Sequence, residues 1–179
     1  MLQRYNGMAI LLHWLIAILV IAGFLLGVTM VDMKFSPTKL QYFSWHKWIG
    51  ITVFIAALIR IAWRLTHQPP PPLPGQPDWQ LRIASITHLM LYLLLIAVPL
   101  TGWLYSSAAG FKTVYFGLIP IPDLIAKSAQ WKDGLKQLHW ALNSLMAALV
   151  VVHAGAAMKH QFIDKDKTLA RMLPGREQL

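Results

Sequence analysis

Seven histidines run through the 179-residue chain, and four of them have a spacing that suits a metal-centred cofactor. His139 and His153 are 14 residues apart. On an α-helix that interval turns the side chains by about 40° and separates them by about 21 Å along the axis. Two imidazoles therefore look toward one face at two depths. Once the crossings of the chain are counted, His46 falls at the depth of His139 and His13 at the depth of His153. Two layers result, each with two imidazoles from different segments. This arrangement suits two planar iron cofactors stacked inside one bundle. Ligation by two histidines fills both axial positions of the iron, which favours electron transfer over oxygen binding. A zinc site would gather three or four ligands at one depth, and no depth here is rich in carboxylates or cysteines.

The neighbours of the four histidines mostly agree. Residues three and four positions away share a helix face. Gly50 follows His46 by four, Ala17 follows His13 by four, and Ala156 and Ala157 follow His153 by three and four. These small residues leave room for a flat group, although small residues also let helices pack closely. His139 fits less well, since Leu142 and Asn143 occupy those offsets. Arg60 lies 14 residues after His46 and so repeats the helix-four interval. It falls on the cofactor-facing stripe at the inner depth, where its planar fork suits the propionates of a haem. Arg64 lies one turn further on the same stripe, where snorkelling to headgroups is the alternative. Trp14, beside His13, is expected to pack on the inner cofactor.

Four long elements must position these residues. Apolar residues make up 56% of the chain and charged residues 13%, and the mean hydropathy is +0.51. Soluble domains carry about a quarter charged residues. A bilayer core of about 30 Å needs roughly 20 helical residues, and four apolar runs satisfy this: residues 8–29, 43–65, 83–106 and 135–158. Their continuity favours helices over a barrel. The fold class is all-α, an integral membrane four-helix transmembrane bundle, with residues 1–179 as a single domain. Lys47 and Lys136 lie near span ends and can snorkel. The first run is expected to be retained as a span, because it is long, contains a histidine and lacks a clear cleavage site.

The connections differ. Residues 31–41 form a short polar link. Residues 68–77 contain Pro69 to Pro72, Pro74 and Pro77, a stiff connector that cannot continue a helix. Residues 109–134 form a longer loop that is expected to contain one short interfacial helix. The tail is polar and basic, and no internal repeat or soluble domain is evident.

The chain carries no cysteine. Disulfides, iron–sulfur clusters, thiolate-ligated haem and covalent c-type attachment are excluded. The formal net charge is +9, but the basic residues flank apolar runs. They read as membrane-surface charge, with no nucleic acid as partner. Nine basic residues fall on one side: Arg4, Arg60, Arg64, Arg82, Lys159, Lys165, Lys167, Arg171 and Arg176. The other side has Lys34, Lys39, Lys47, Lys112, Lys127, Lys132 and Lys136. The balance favours both termini in the cytoplasm. The outer side still has seven lysines against Asp32, Asp123 and Asp133.

With these residues in hand, the chain resembles the bacterial cytochrome b561 family of four-helix di-haem membrane proteins. The resemblance rests on Leu12-His13-Trp14, on His46-Lys47-Trp48-Ile49-Gly50, and on Arg60-Ile61-Ala62-Trp63-Arg64. It continues in His88-Leu89, Leu91-Tyr92-Leu93-Leu94, Pro99 and Gly102, then in Leu138-His139 and Val152-His153-Ala154. Lys159-His160, Asp166-Lys167-Thr168-Leu169 and Arg171-Met172 complete it. The resemblance implies two haem b groups, a place in the bacterial inner membrane and electron exchange with ubiquinone. One branch of the family oxidises periplasmic superoxide, while related b-type cytochromes act as relay subunits for other redox proteins. On this reading His88, Lys159 and His160 are candidates to bind quinone at the inner side. For His88 a propionate or interhelical role is as good. Lys112, Lys127 and Lys132 would steer superoxide, or dock a periplasmic or membrane redox protein. His67 reads as a loop residue.

Overall fold

A computed structural model describes residues 3–175. Four helices dominate it: α1 (Gly7–Asp32), α2 (Pro37–Thr66), α3 (Asp78–Ala109) and α4 (Ala129–Phe162). All four are long and apolar enough to cross a membrane. The architecture is the four-helix transmembrane bundle expected from the apolar runs. Side chains such as Ile18, Ile21, Leu93 and Val151 are exposed on its outside, as suits a lipid-facing surface.

The helices extend past the apolar runs at both ends. At 26 to 34 residues they measure about 39 to 51 Å, more than the hydrocarbon core. Polar caps set several of the ends. Asn6 accepts from the amide of Ala9 at 2.8 Å. Ser36 accepts from the amide of Lys39 at 3.2 Å, with Pro37 opening α2. Both satisfy amides that the first helical turn leaves unpaired. Pro77 precedes α3, and Asp78 lies in its first turn, where the helix dipole favours a carboxylate.

The connection between α3 and α4 corrects the expectation of an interfacial helix. Gly110, with φ of 77°, closes α3 in the left-handed conformation. The chain then forms an antiparallel hairpin of β1 (Thr113–Tyr115) and β2 (Ile119–Ile121), pairing Tyr115 with Ile119 and Thr113 with Ile121. Phe116 and Gly117, both with positive φ, reverse its direction. Valine, isoleucine and aromatic residues favour this extended form, and Pro120 opposes a helix. The hairpin is tied to α2: Trp48 donates its indole N–H to the carbonyl of Val114 at 2.8 Å, and Thr52 and Tyr115 share a hydroxyl bond of 2.8 Å.

The most buried cluster is Leu94, Val98 and Met146, with Val20, Leu142, Leu149 and Val150 against it. Met146 is seven residues from both His139 and His153, so this apolar plug lies between the two histidine layers. Beyond α4, the short 3₁₀ helix Leu169–Met172 folds back under the bundle. Its Arg171 donates to the carbonyls of Gln3 and Pro71 at 2.7 and 2.8 Å. That contact joins the tail, the N-terminal segment and the proline connector.

Candidate functional site

The four histidines singled out by spacing meet in two pairs. The rings of His46 and His139 have centroids 6.1 Å apart, and so do those of His13 and His153. Two imidazoles on opposite sides of one metal, each bound through nitrogen at about 2 Å, place their ring centres about 6 Å apart. Both pairs fit a bis-histidine iron.

Backbone carbonyls of neighbouring helices orient the pair His46 and His139, termed outer because it lies at the end of the bundle away from both termini. The His46 Nδ1 lies 2.9 Å from the carbonyl oxygen of Gly23 on α1. The His139 Nδ1 lies 3.0 Å from the carbonyl oxygen of Val98 on α3. A ring whose Nδ1–H donates to a carbonyl presents an Nε2 lone pair, the form a metal takes. The Asn143 amide lies 3.2 Å from the His139 Nε2, consistent with that tautomer. The close approach needs glycine. A Cβ on Gly102 would sit 2.9 Å from the His139 ring, and one on Gly27 would sit 3.3 Å from the His46 ring. Gly23 and Gly27 are one turn apart on α1, a small-residue pattern that lets helices approach closely. At Gly50 a Cβ would meet nothing within 4 Å, so the room expected there exists.

The inner pair is built from side chains. Arg60 donates from Nη1 to the carbonyl of Ala9 at 2.8 Å and from Nε to the Tyr92 hydroxyl at 3.1 Å. Its Nη2 lies 3.5 Å from the His13 Nδ1. Arg64 makes no hydrogen bond among the described residues and sits over the Tyr92 ring at 5.8 Å. Trp14 meets the His13 ring edge-on, with centroids 5.3 Å apart, and donates its indole N–H to the carbonyl of Met172 at 2.8 Å. His88 joins this layer with its ring centroid 5.2 Å from that of His153. That is shorter than the value both candidate pairs share, so His13 with His153 is the pair that matches the geometry of His46 with His139.

The remaining site candidates lie apart. Lys159 pairs with Asp164 at 2.6 Å, and the His160 Nδ1 lies 2.7 Å from Asp166 and 3.2 Å from Asp164. These four form one cluster at the inner end of α4. Burial pushes the Asp166 carboxyl up, but bonds from Thr168 and His160 outweigh it and hold the group below its ordinary value. At the outer end, Lys112 presents its carbonyl to the Lys47 ammonium at 3.1 Å. A Cβ on Gly110 would contact the Lys127 chain, and Lys132 stands in the first turn of α4. Lys47 also reaches the Ser106 hydroxyl and the Phe111 carbonyl at 3.4 Å each. Below the inner layer, a cavity of about 340 Å³ is lined by Arg4, Arg60, Trp63, Arg64 and Tyr92, among others.

Sequence reasoning missed several of these residues. Gly23 and Gly27 were detectable as a one-turn glycine pair. Tyr92 and Asp166 lay within recognised stretches, but nothing in their types indicated which partners they meet. The carbonyls of Gly23 and Val98 carry no residue signal.

Four apolar helices enclosing two histidine pairs define a membrane electron-transfer cytochrome. The chain matches the prokaryotic cytochrome b561 family over residues 4–175 and belongs to it. That family binds haem b and transfers electrons. The chain is 38% identical to cytochrome b561 homolog 2 of Escherichia coli K12, with 96% of this chain and 92% of that protein covered. Cytochrome b561 homolog 1 of the same organism is 30% identical over 98% of this chain and 100% of its own length. A Yersinia pestis protein named probable superoxide oxidase CybB is 31% identical over 96% of this chain and 97% of its own.

Proposed function

We propose that this chain is a two-haem membrane oxidoreductase that takes electrons from periplasmic superoxide and passes them to ubiquinone in the bacterial inner membrane. The observation that carries the reading is the pair of matched histidine separations, 6.1 Å in each layer. His46 and His139 hold the outer haem, and His13 and His153 the inner one. Gly50 leaves room for the ring system, Trp14 packs beside the inner ligand, and Arg60 and Arg64 supply positive charge on the inner side. When bound, the haems supply one-electron redox steps within the bilayer. The chain's own residues orient them, exclude water and set the ends at which substrates meet them.

The reaction balances as two superoxide anions, one quinone and two protons giving two dioxygen molecules and one quinol. Lys112, Lys127 and Lys132 would draw the anion to the outer face by electrostatic focusing. His88, Lys159 and His160 would hold the quinone near the inner layer, with both termini cytoplasmic. The superoxide assignment draws support from the relative named probable superoxide oxidase. A test is to add superoxide to the purified, haem-loaded chain with ubiquinone and to follow quinol by absorbance. Quinol formation beyond the uncatalysed rate supports the oxidase. Fully loaded protein whose haems stay oxidised rejects it in favour of a relay subunit served by another redox protein.

A further inference from the structure

Both outer ligands have a backbone carbonyl behind them, at 2.9 Å for His46 and 3.0 Å for His139. Behind His13 stands a guanidinium, 3.5 Å from its Nδ1. Among the described residues no carbonyl is hydrogen-bonded to the Nδ1 of His13 or His153. Arg60 is fixed in this position by the carbonyl of Ala9 and the hydroxyl of Tyr92. No carboxylate side chain of the protein lies in salt-bridge range of it among the described residues, where every ion pair belongs to the Lys159–Asp166 cluster, so any counter-charge would be a propionate of the bound group itself.

These two surroundings push a bound iron in opposite directions. A carbonyl accepting the Nδ1 proton makes an imidazole more electron-rich and a better ligand for the ferric state. A fixed cation next to the ligand, in a low-dielectric interior, disfavours the oxidation state with the extra positive charge. We infer that Arg60, acting through His13, poises the inner haem at a higher potential than the outer one, so that electrons run inward. Arg60 is then a positioning residue for the direction of transfer. Tyr92 is its tether, holding the guanidinium by one hydrogen bond and lying under it at 5.9 Å. The inference rests on the two-haem reading above.

Spectroelectrochemical titration of the purified holoprotein tests it. Two waves are expected, and His139→Ala protein, carrying the inner haem alone, identifies the inner wave as the higher. In Arg60→Gln the inner wave falls, changing the ferric-to-ferrous ratio at fixed potential by about tenfold, or about 59 mV for one electron. The outer wave moves by much less. Arg60→Lys keeps the charge and restores most of the shift, which a purely structural role would not do. Tyr92→Phe keeps Arg60 but loosens it, giving a smaller shift of the same sign, and serves if Arg60→Gln takes up no haem. An inner wave at or below the outer one in the wild type overturns the inference. So does an inner wave unmoved in the haem-loaded variants. If that happens while the protein holds two haems and reduces quinone with superoxide, the poise alone is wrong. A wild type holding fewer than two haems overturns the underlying reading as well.

Discussion

The outer and inner histidine layers share one separation and differ in what surrounds it. His46 and His139 rest against glycines, with backbone carbonyls behind both rings. His13 and His153 sit among Arg60, Tyr92, Trp14 and His88. The outer surroundings are mainly backbone atoms that mutation reaches only indirectly, with Thr101 and Asn143 the side chains that meet His139. The inner ones are side chains, each open to replacement. Equal geometry with unequal electrostatics is what a device needs to hold two similar cofactors and treat them differently. The apolar plug around Leu94, Val98 and Met146 separates the layers, so each is expected to respond to mutation on its own.

Removing a ligand is the largest break in that comparison. On the proposed two-haem reading, His46→Ala or His139→Ala should cut haem content from two per chain to one, leaving the inner low-spin signal. His13→Ala or His153→Ala should leave the outer one. Haem extraction assays and low-temperature spin-resonance spectra check this. Loss of both signals from every variant would mean that the layers are not independent.

A smaller break targets the glycine side. Gly102→Val would place a Cβ only 2.9 Å from the His139 ring. Overpacking of this kind costs about 1–3 kcal/mol. The outer haem should become substoichiometric while the inner haem is retained. An undiminished outer signal would show that α3 and α4 can move apart there.

The outer lysines sharpen the comparison from the solvent side. Exchanging Lys112, Lys127 and Lys132 together for glutamate should slow haem reduction by superoxide several-fold and leave reduction by quinol nearly intact. Raising salt, which shortens the screening length to about 10 Å at 0.1 M, should slow the wild type in the same sense. Stopped-flow spectra with each reductant separate the two ends. Equal slowing with both would place the effect in the bundle and not at its outer mouth.

The smallest expected effect concerns the inner tail. Asp166 is held below its ordinary value by Thr168 and His160. A carboxylate with a depressed folded pKa adds stability above its unfolded value of about 3.9, and loses it as the pH falls through the folded one. Asp166→Asn should therefore lower the unfolding temperature slightly at neutral pH and narrow its gap from wild type below pH of about 4. Thermal scans in detergent across that range test the sign. A gap that stays constant with pH would assign the effect to packing.

Much of this arrangement was legible before any fold was known. The four spans followed from run length and scarcity of charge, because a bilayer imposes one length on every crossing. The sorting of His13, His46, His139 and His153 followed from helical pitch. Helix ends were less legible, since Asn6, Ser36 and Pro37 carry the helices past the apolar runs through local caps. The hairpin after Gly110 was missed because short strands of three residues leave little pattern, and its partners on α2 are some sixty positions away.

What the sequence alone determined, then, is the set of spans and the two depths at which imidazoles gather. Both depend on local periodicity and on the thickness of the solvent around the chain. Tertiary structure decided which nitrogen of each outer ring is left for a metal, because the acceptors are carbonyls of Gly23 and Val98 on other helices. It brought Arg60 to His13 from 47 positions away, and it left His88 closer to His153 than two imidazoles on opposite sides of one metal would stand. Those outcomes arise where distant segments touch, and a backbone carbonyl has the same chemistry in every residue until a fold puts something beside it.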